Sequence, residues 1–220
     1  MPLTSIFRGE HLEPPPWLYA RLAQSSVMRL IYRLLVADLA GGLPRGTRLL
    51  DVGTGPGYLL GYLGRDRPDL SLWGLDFSHD MIHRARQKVL APQARPRWVV
   101  ADACRLPFPD GVFGQVVSTF SFHIWPCPVA GLQELWRILQ PGGRAWVYEL
   151  RRETSPRELR AFAREARLPF PLVYLGFQTV RWHHALPAGE LAHLLQQAAG
   201  PRWTLRPAHH IFWRAKLEQV

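Results

Sequence analysis

The sequence predicts a doubly wound α/β protein with a mainly parallel sheet. Three observations carry that expectation. Short apolar runs end near residues 51, 76, 101, 119 and 149, with helical patterns between them. The first run leads into a glycine turn, Gly53-Thr54-Gly55-Pro56-Gly57, and then into a mostly apolar helix from Tyr58. An acidic residue, Asp51, Asp76 or Asp102, stands at or just past the tip of each of the first three strands. In such a sheet the ligand site lies beyond the carboxyl ends of the strands.

The elements follow in order. Pro14-Pro15-Pro16 forms a stiff spacer. Val27, Leu30, Ile31, Leu34 and Leu35 then recur at helical spacing until Gly41-Gly42. With Trp17, Tyr19 and Tyr32 beside it, this region reads as a helix packed on the sheet, a cap over the ligand mouth, or both. Thr47–Val52 is the first strand and Leu70–Leu75 the second. Asp76 lies 19 residues beyond Gly57. At that distance a strand-tip carboxylate can accept both hydroxyls of a ribose. A helix over 79–90 carries Met81, Ile82, Ala85 and Val89 on one face. Arg97–Val100 is the third strand, and Asp102 stands 26 residues after Asp76. Phe113–Thr119 is the fourth, with Phe120 and His123 just past its tip.

A helix over 129–139 buries Leu132, Leu135, Trp136 and Leu139. Pro141-Gly142-Gly143 is expected to end it, and Ala145–Tyr148 to form the fifth strand. Residues 151–185 read as an insertion. Ser155-Pro156-Arg157-Glu158 is a capping box with proline at the first helical position. Arg157, Arg160, Arg164 and Arg167 make a basic stripe, read first as a solvated face. Phe170–Trp182 is apolar and aromatic, and His183-His184 follows. Leu191, Leu194, Leu195 and Ala198 mark the last helix, and two closing strands, Trp203–Arg206 and Ile211–Leu217, bring the sheet to seven. The division expected is a helical cap over 1–45 and a core over 46–220, with 151–185 inserted as a lid.

Composition bounds the function. The 220 residues are 47% hydrophobic and 20% charged, ordinary for one globular domain. No apolar run reaches the roughly 18 residues of a membrane span, so no membrane partner is expected. The first residues, with Arg8, Glu10 and Glu13, do not read as a signal peptide. The two cysteines, Cys104 and Cys127, are expected to be reduced in a cytoplasmic chain. The formal charge is +10, and all but two of the 27 basic residues (Lys88 and Lys216) are arginine. They are spread along the chain, which fits a general bias toward arginine better than a nucleic-acid surface.

The glycine spacing discriminates among ligands. A dinucleotide fingerprint fails because Tyr58 and Leu60 stand where its third glycine belongs, and no Gly-Lys-Ser/Thr follows for a P-loop. The pattern acidic-x-Gly-x-Gly-x-Gly resembles the first motif of the class I S-adenosylmethionine-dependent methyltransferases. Asp76-Phe77-Ser78 with Met81 and Ile82 resembles their second. Leu106-Pro107-Phe108-Pro109-Asp110 and Glu134–Gly143 are similar to the small-molecule "type 11" branch. The resemblance is close over 46–150, loose over 186–217, and does not reach the cap or the insertion.

That resemblance implies a Rossmann-like methyltransferase fold, S-adenosylmethionine as cofactor and S-adenosylhomocysteine as product. It places Gly53, Thr54, Gly55 and Gly57 around the methionine half, with Asp51 under its amino group. Asp76 would hold the ribose, Phe77 and Met81 would flank the adenine, and Asp102 and Ala103 would meet its edge. Phe120 would complete the cofactor site. The reaction implied is in-line methyl transfer to a small-molecule acceptor, catalysed mainly by positioning. His123 is the first candidate for a general base, if one is used, with His183 and His184 next; loop packing is the other reading of His123. Trp17, Tyr19, His183 and His184 are candidates for the acceptor pocket. No metal-ligand spacing is present. Pro126-Cys127 falls too late for a cytosine C5 nucleophile, and the Asn/Asp-Pro-Pro-aromatic motif of amine methylation is missing. An RNA methyltransferase, or a cofactor-binding protein without transfer activity, stays open as an alternative.

Overall fold

The computed structural model describes residues 26–87, 93–198 and 202–219. The proline spacer, Trp17 and Tyr19 lie outside them. Helix α1 (Ser26–Ala40) precedes β1 (Arg48–Val52), α2 (Tyr58–Asp66), β2 (Ser71–Asp76), α3 (His79–Gln87) and β3 (Arg97–Val100). Then come β4 (Phe113–Thr119), α4 (Pro128–Arg137), β5 (Leu139–Arg151), α5 (Pro156–Glu165), α6 (Phe170–His184), β6 (Ala185–Leu186), α7 (Ala188–Ala198), β7 (Trp203–Ala208) and β8 (Phe212–Glu218). The order across the sheet is β3-β2-β1-β4-β5-β8-β7, and β6 pairs with β5. Strand β8 is antiparallel to both β5 and β7, while the inner pairs are parallel. The chain moves outward from β1 to β3 and returns to β4 on the other side of β1. The tips of β1 and β4 therefore flank the switch point where α/β sheets bind ligands.

Helices cover both faces. On one, Leu132 and Leu135 of α4 and Leu191 and Leu195 of α7 pack on Leu50, Val116, Ala145 and Val147. On the other, Leu35 of α1, Leu59 and Leu63 of α2, Leu159 and Phe162 of α5 and Phe177 of α6 pack on Leu49, Leu72, Val117 and Tyr148. Adjacent strand residues thus serve opposite layers, as a sheet buried on both faces requires.

Two of the quoted motifs lock each other. Glu134 accepts the Leu106 N–H at 2.7 Å. Arg137 donates to the Phe108 and Leu106 carbonyls at 2.8 and 3.1 Å and to Asp110 at 2.7 Å. The segment after the fourth strand clamps the loop before it.

The structure departs from the expected elements in two places and gives a helix to a stretch with no element assigned. Helix α4 ends at Arg137, and β5 already begins at Leu139 and runs through Pro141-Gly142-Gly143. The bulge is tolerated because Gly142 N–H reaches the Gln219 carbonyl and Gln219 N–H reaches the Gly143 carbonyl, both at 3.0 Å. The apolar stretch from Phe170 is a 15-residue helix. Ala185–Leu186 adds an eighth, two-residue strand beside Leu150 and Arg151. Among the described residues no helix is long and apolar enough to cross a membrane.

Candidate functional site

Past β1 the backbone turns through left-handed steps, with φ of 74° at Gly53, 54° at Gly55 and 77° at Gly57. The N–H groups of Gly53 and Thr54 both donate to the Leu75 carbonyl, at 2.8 and 2.9 Å, which pins the turn to β2. A side chain at Gly53 would put Cβ 2.1 Å from Oγ of Ser121, beyond the β4 tip. At Gly57 it would stand 2.5 Å from the Trp98 ring. Glycine is required at both by conformation and by space.

Asp51 is fully buried. Its Oδ2 accepts from the Thr54 hydroxyl at 2.7 Å, and its buried Oδ1 has no partner. Burial raises its pKa to about 7; the Thr54 hydrogen bond opposes this and the Asp76 charge adds to it. Asp76 sits at the tip of β2. Its Oδ2 accepts the Gly55 N–H at 2.8 Å and its Oδ1 the Ser78 N–H at 2.9 Å, joining the glycine turn to the start of α3. Phe77 stands 77% exposed beside it. The Met81 N–H is 3.3 Å from the Ser78 hydroxyl in the first turn of α3. Asp102 accepts the Cys104 N–H at 2.8 Å and so turns the chain after β3, with Ala103 buried in the turn. Asp51, Asp76, Asp102 and the glycine turn thus share the carboxyl end of the sheet. A group carrying an amine and a ribose fits there: the Asp51 oxygen is an unmet acceptor, and the Asp76 carboxylate is held in a fixed plane.

The tips of β4 and β5 form the other half. Phe120 takes φ of 56°, unusual for a side-chain-bearing residue, and its ring lies 5.1 Å from that of Phe212. A 3₁₀ turn, Phe122–Ile124, then presents His123. Its Nδ1 is 3.0 Å from Oε2 of Glu149. Its Nε2 is 3.0 Å from Nδ1 of His184, at the end of α6. The other Glu149 oxygen accepts the Phe122 N–H at 2.8 Å. Glu149 is fully buried and the His123 side chain is 8% exposed. Accepting at both oxygens suits Glu149 as a carboxylate, with His123 donating from Nδ1. His123 Nε2 is then the basic nitrogen, and it receives the N–H of His184.

The sequence reading ranks His123 first as a base with His183 and His184 after it, and the structure joins His123 to His184. Glu149 was missed. Its signal was an acidic residue closing the apolar run Ala145–Tyr148, at the same strand-tip position as the three aspartates. His183 lies in α6, one residue before His184. Cys104 and Cys127 are unbridged, and the Cys104 thiol donates to the Cys127 carbonyl at 3.3 Å. Burial above all pushes Cys104 up to about 12, so it holds no thiolate at neutral pH. A groove of about 420 Å³ lined by Asp110, Trp136, Arg137 and Gln219 lies around the start of β5, away from these strand tips. Among the described residues no group of three or more His, Cys, Asp or Glu side chains is arranged to hold a metal.

A methyltransferase-domain family model matches residues 50–147. A demethylmenaquinone methyltransferase of Thermus thermophilus is 36% identical over 165 residues, which cover 70% of this chain and 73% of that protein. A demethylmenaquinone methyltransferase of Deinococcus radiodurans is 38% identical over 132 residues, 60% of this chain; the match spans only 54% of that relative. The crystal structure of a SAM-dependent methyltransferase from Aquifex aeolicus shares the fold, with a TM-score of 0.69 over 94% of this chain and 100% of that one at 20% identity. The chain belongs to the class I S-adenosylmethionine-dependent methyltransferases, in their small-molecule "type 11" branch. S-adenosylmethionine is the cofactor of that family.

Proposed function

We propose that this protein methylates a ring carbon of a hydroxyaromatic acceptor of the quinol class, with Glu149, His123 and His184 as its proton path. The observation that carries this reading is the unbroken chain of hydrogen bonds from a buried carboxylate through two imidazoles. The names of the two bacterial relatives favour a demethylated quinol as the acceptor.

On the cofactor side, Asp51 and the glycine turn would hold the amino-acid end, Asp76 the ribose, and Phe77, Met81, Asp102 and Ala103 the adenine. Phe120 would close the site between the cofactor and the acceptor. When bound, the cofactor supplies an electrophilic methyl group on a sulfonium centre. The protein's part is to align that group with the acceptor carbon and exclude water.

A quinol carbon becomes nucleophilic when its neighbouring hydroxyl loses a proton. His184 would accept that proton at Nε2 while its Nδ1–H passes to Nε2 of His123. Glu149, hydrogen-bonded to Nδ1, stabilises the resulting imidazolium. Once the carbon is methylated, its own hydrogen leaves as a proton and the aromatic ring is restored. Helices α5 and α6 would act as the lid, fastened to the core where Arg181 donates to the Arg152 carbonyl at 2.8 Å and Arg152 to the Ala185 carbonyl at 2.9 Å.

The test is turnover of a short-chain demethylmenaquinol by the purified protein with S-adenosylmethionine, followed by mass spectrometry of the product. A product one methyl heavier at carbon is expected. Methylation at oxygen alone, or turnover of RNA but not of the quinol, would overturn the reading.

A further inference from the structure

The outward face of α6 is apolar without having to be. Phe177 buries the inner face of that helix at 5% exposure, while Leu172 and Leu175 stand 65% exposed and Tyr174 40%. Pro171 and Gly176 are exposed beside them, and no charged residue occurs between Arg167 and Arg181. Leu172 and Leu175 lie one turn apart on the same side. A patch of this kind on a helix surface marks an interaction site.

Its border is cationic. On α5, Arg157, Arg160 and Arg164 are exposed, with Arg167 just beyond the helix. The Arg160 guanidinium lies 4.7 Å above the Phe170 ring, and the Phe170 ring is 5.6 Å from Tyr174. Of the acids on α5, Glu158 is engaged with Arg151 and Ser155, and Glu165 lies 3.6 Å from His210. The whole chain carries +10. We propose that the first turns of α6 and the arginines of α5 form a docking surface for an anionic lipid bilayer, the leucines entering the interface and the arginines meeting the headgroups.

Charge selects this occupant over a second copy of the chain. A two-fold contact through the same face would set one arginine stripe against another. The placement also suits the site. Leu175 precedes His184 by nine positions on one helix, about 14 Å along its axis. The lipid-facing surface and His184 therefore stand at opposite ends of one helix. The absence of a spanning helix among the described residues bears only on insertion across a bilayer, and the docking proposed here is peripheral.

The surface lies apart from the proton path, and its test needs no acceptor, so its failure leaves the proposed reaction standing. The full chain is sedimented with phosphatidylcholine vesicles, with and without phosphatidylglycerol. Binding to the anionic vesicles is expected, with little binding to the neutral ones. Leu172→Ser with Leu175→Ser should lower the partition coefficient about tenfold or more. Arg157→Gln with Arg164→Gln should weaken binding and flatten its dependence on salt. All four positions are exposed, so S-adenosylhomocysteine binding should be unchanged in both variants, which reports on folding. Three results would overturn the proposal. One is no binding to anionic vesicles. Another is a leucine variant that binds like the parent, which would mean adsorption by net charge alone. The third is self-association without lipid that the leucine variant abolishes, which would assign the patch to a second copy.

Discussion

The tips of β1 to β3 and the tips of β4 and β5 meet at one end of the sheet, yet they are held differently. On the first side each carboxylate bonds within its own turn: Asp51 with Thr54, Asp76 with Ser78, Asp102 with Cys104. A longer tie, from Gly55 to Asp76, spans 21 residues and joins consecutive strand ends. On the second side the bonds join residues 26 and 61 positions apart, His123 to Glu149 and His123 to His184. One of those partners arrives at the end of helix α6. A turn-by-turn scaffold suits a ligand shared by a whole family. A hydrogen-bonded chain completed from a distant helix can change while the scaffold stays fixed.

The two sides should separate under mutation. His123→Asn keeps an N–H for the buried Glu149 and removes the distal nitrogen. With the quinol acceptor it should lower kcat by about 10² to 10⁴, the usual worth of acid–base catalysis. Calorimetry should show S-adenosylhomocysteine binding unchanged. A variant turning over within a few-fold of the parent would reduce His123 to loop packing. Asp76→Ala should do the opposite kind of damage. Losing charge-assisted bonds worth about 1.5–3 kcal/mol each should weaken S-adenosylhomocysteine binding roughly a hundredfold. Undiminished affinity would remove Asp76 from the cofactor site.

Asp51 should respond to pH. Its folded-state pKa is raised, to about 7, so the fold holds its proton more tightly than the unfolded chain does. Stability from this group is full below about pH 4 and is lost as pH rises toward 7. A bound ammonium needs the ionised form, so S-adenosylhomocysteine affinity should fall as pH drops from 7 to 5, by about tenfold per unit at the steepest. Asp51→Asn should bind weakly at every pH and lose that slope, which titrations at several pH values would reveal. An affinity in the parent that does not change with pH would contradict the assignment of Asp51 to the amino group. The smallest effect belongs to Cys127→Ser. Cys127 is exposed at the start of α4, and kcat should stay within about twofold. A larger loss would reopen the nucleophile reading.

Much of the first side was legible because its signals are local. Gly53, Gly55 and Gly57 are required by a turn of five residues. Asp76 is found by counting from that turn to the next strand tip, and the capping box at Ser155 and Glu158 closes within one turn of α5. The Glu134–Gly143 segment was recognisable too, although its work as a clamp on Leu106–Asp110 became visible only when the two were placed side by side. The start of β5 was misread because Pro-Gly-Gly ordinarily stops an element. Here it is absorbed as a bulge, since Gln219 at the far end of the chain supplies the hydrogen bonds.

By itself, then, the sequence determined the alternation of strands and helices, the sheet's buried character and the position of the glycine turn. These follow from periodicity and from backbone chemistry that acts over a few residues. Only the tertiary structure decided that Glu149, His123 and His184 share one hydrogen-bonded chain, and that α6 turns Phe177 inward and Leu172 and Leu175 outward. Those outcomes depend on which strand lies beside which and on which face of a helix the core takes. Both are set by packing between segments distant in the chain, where no local pattern reaches.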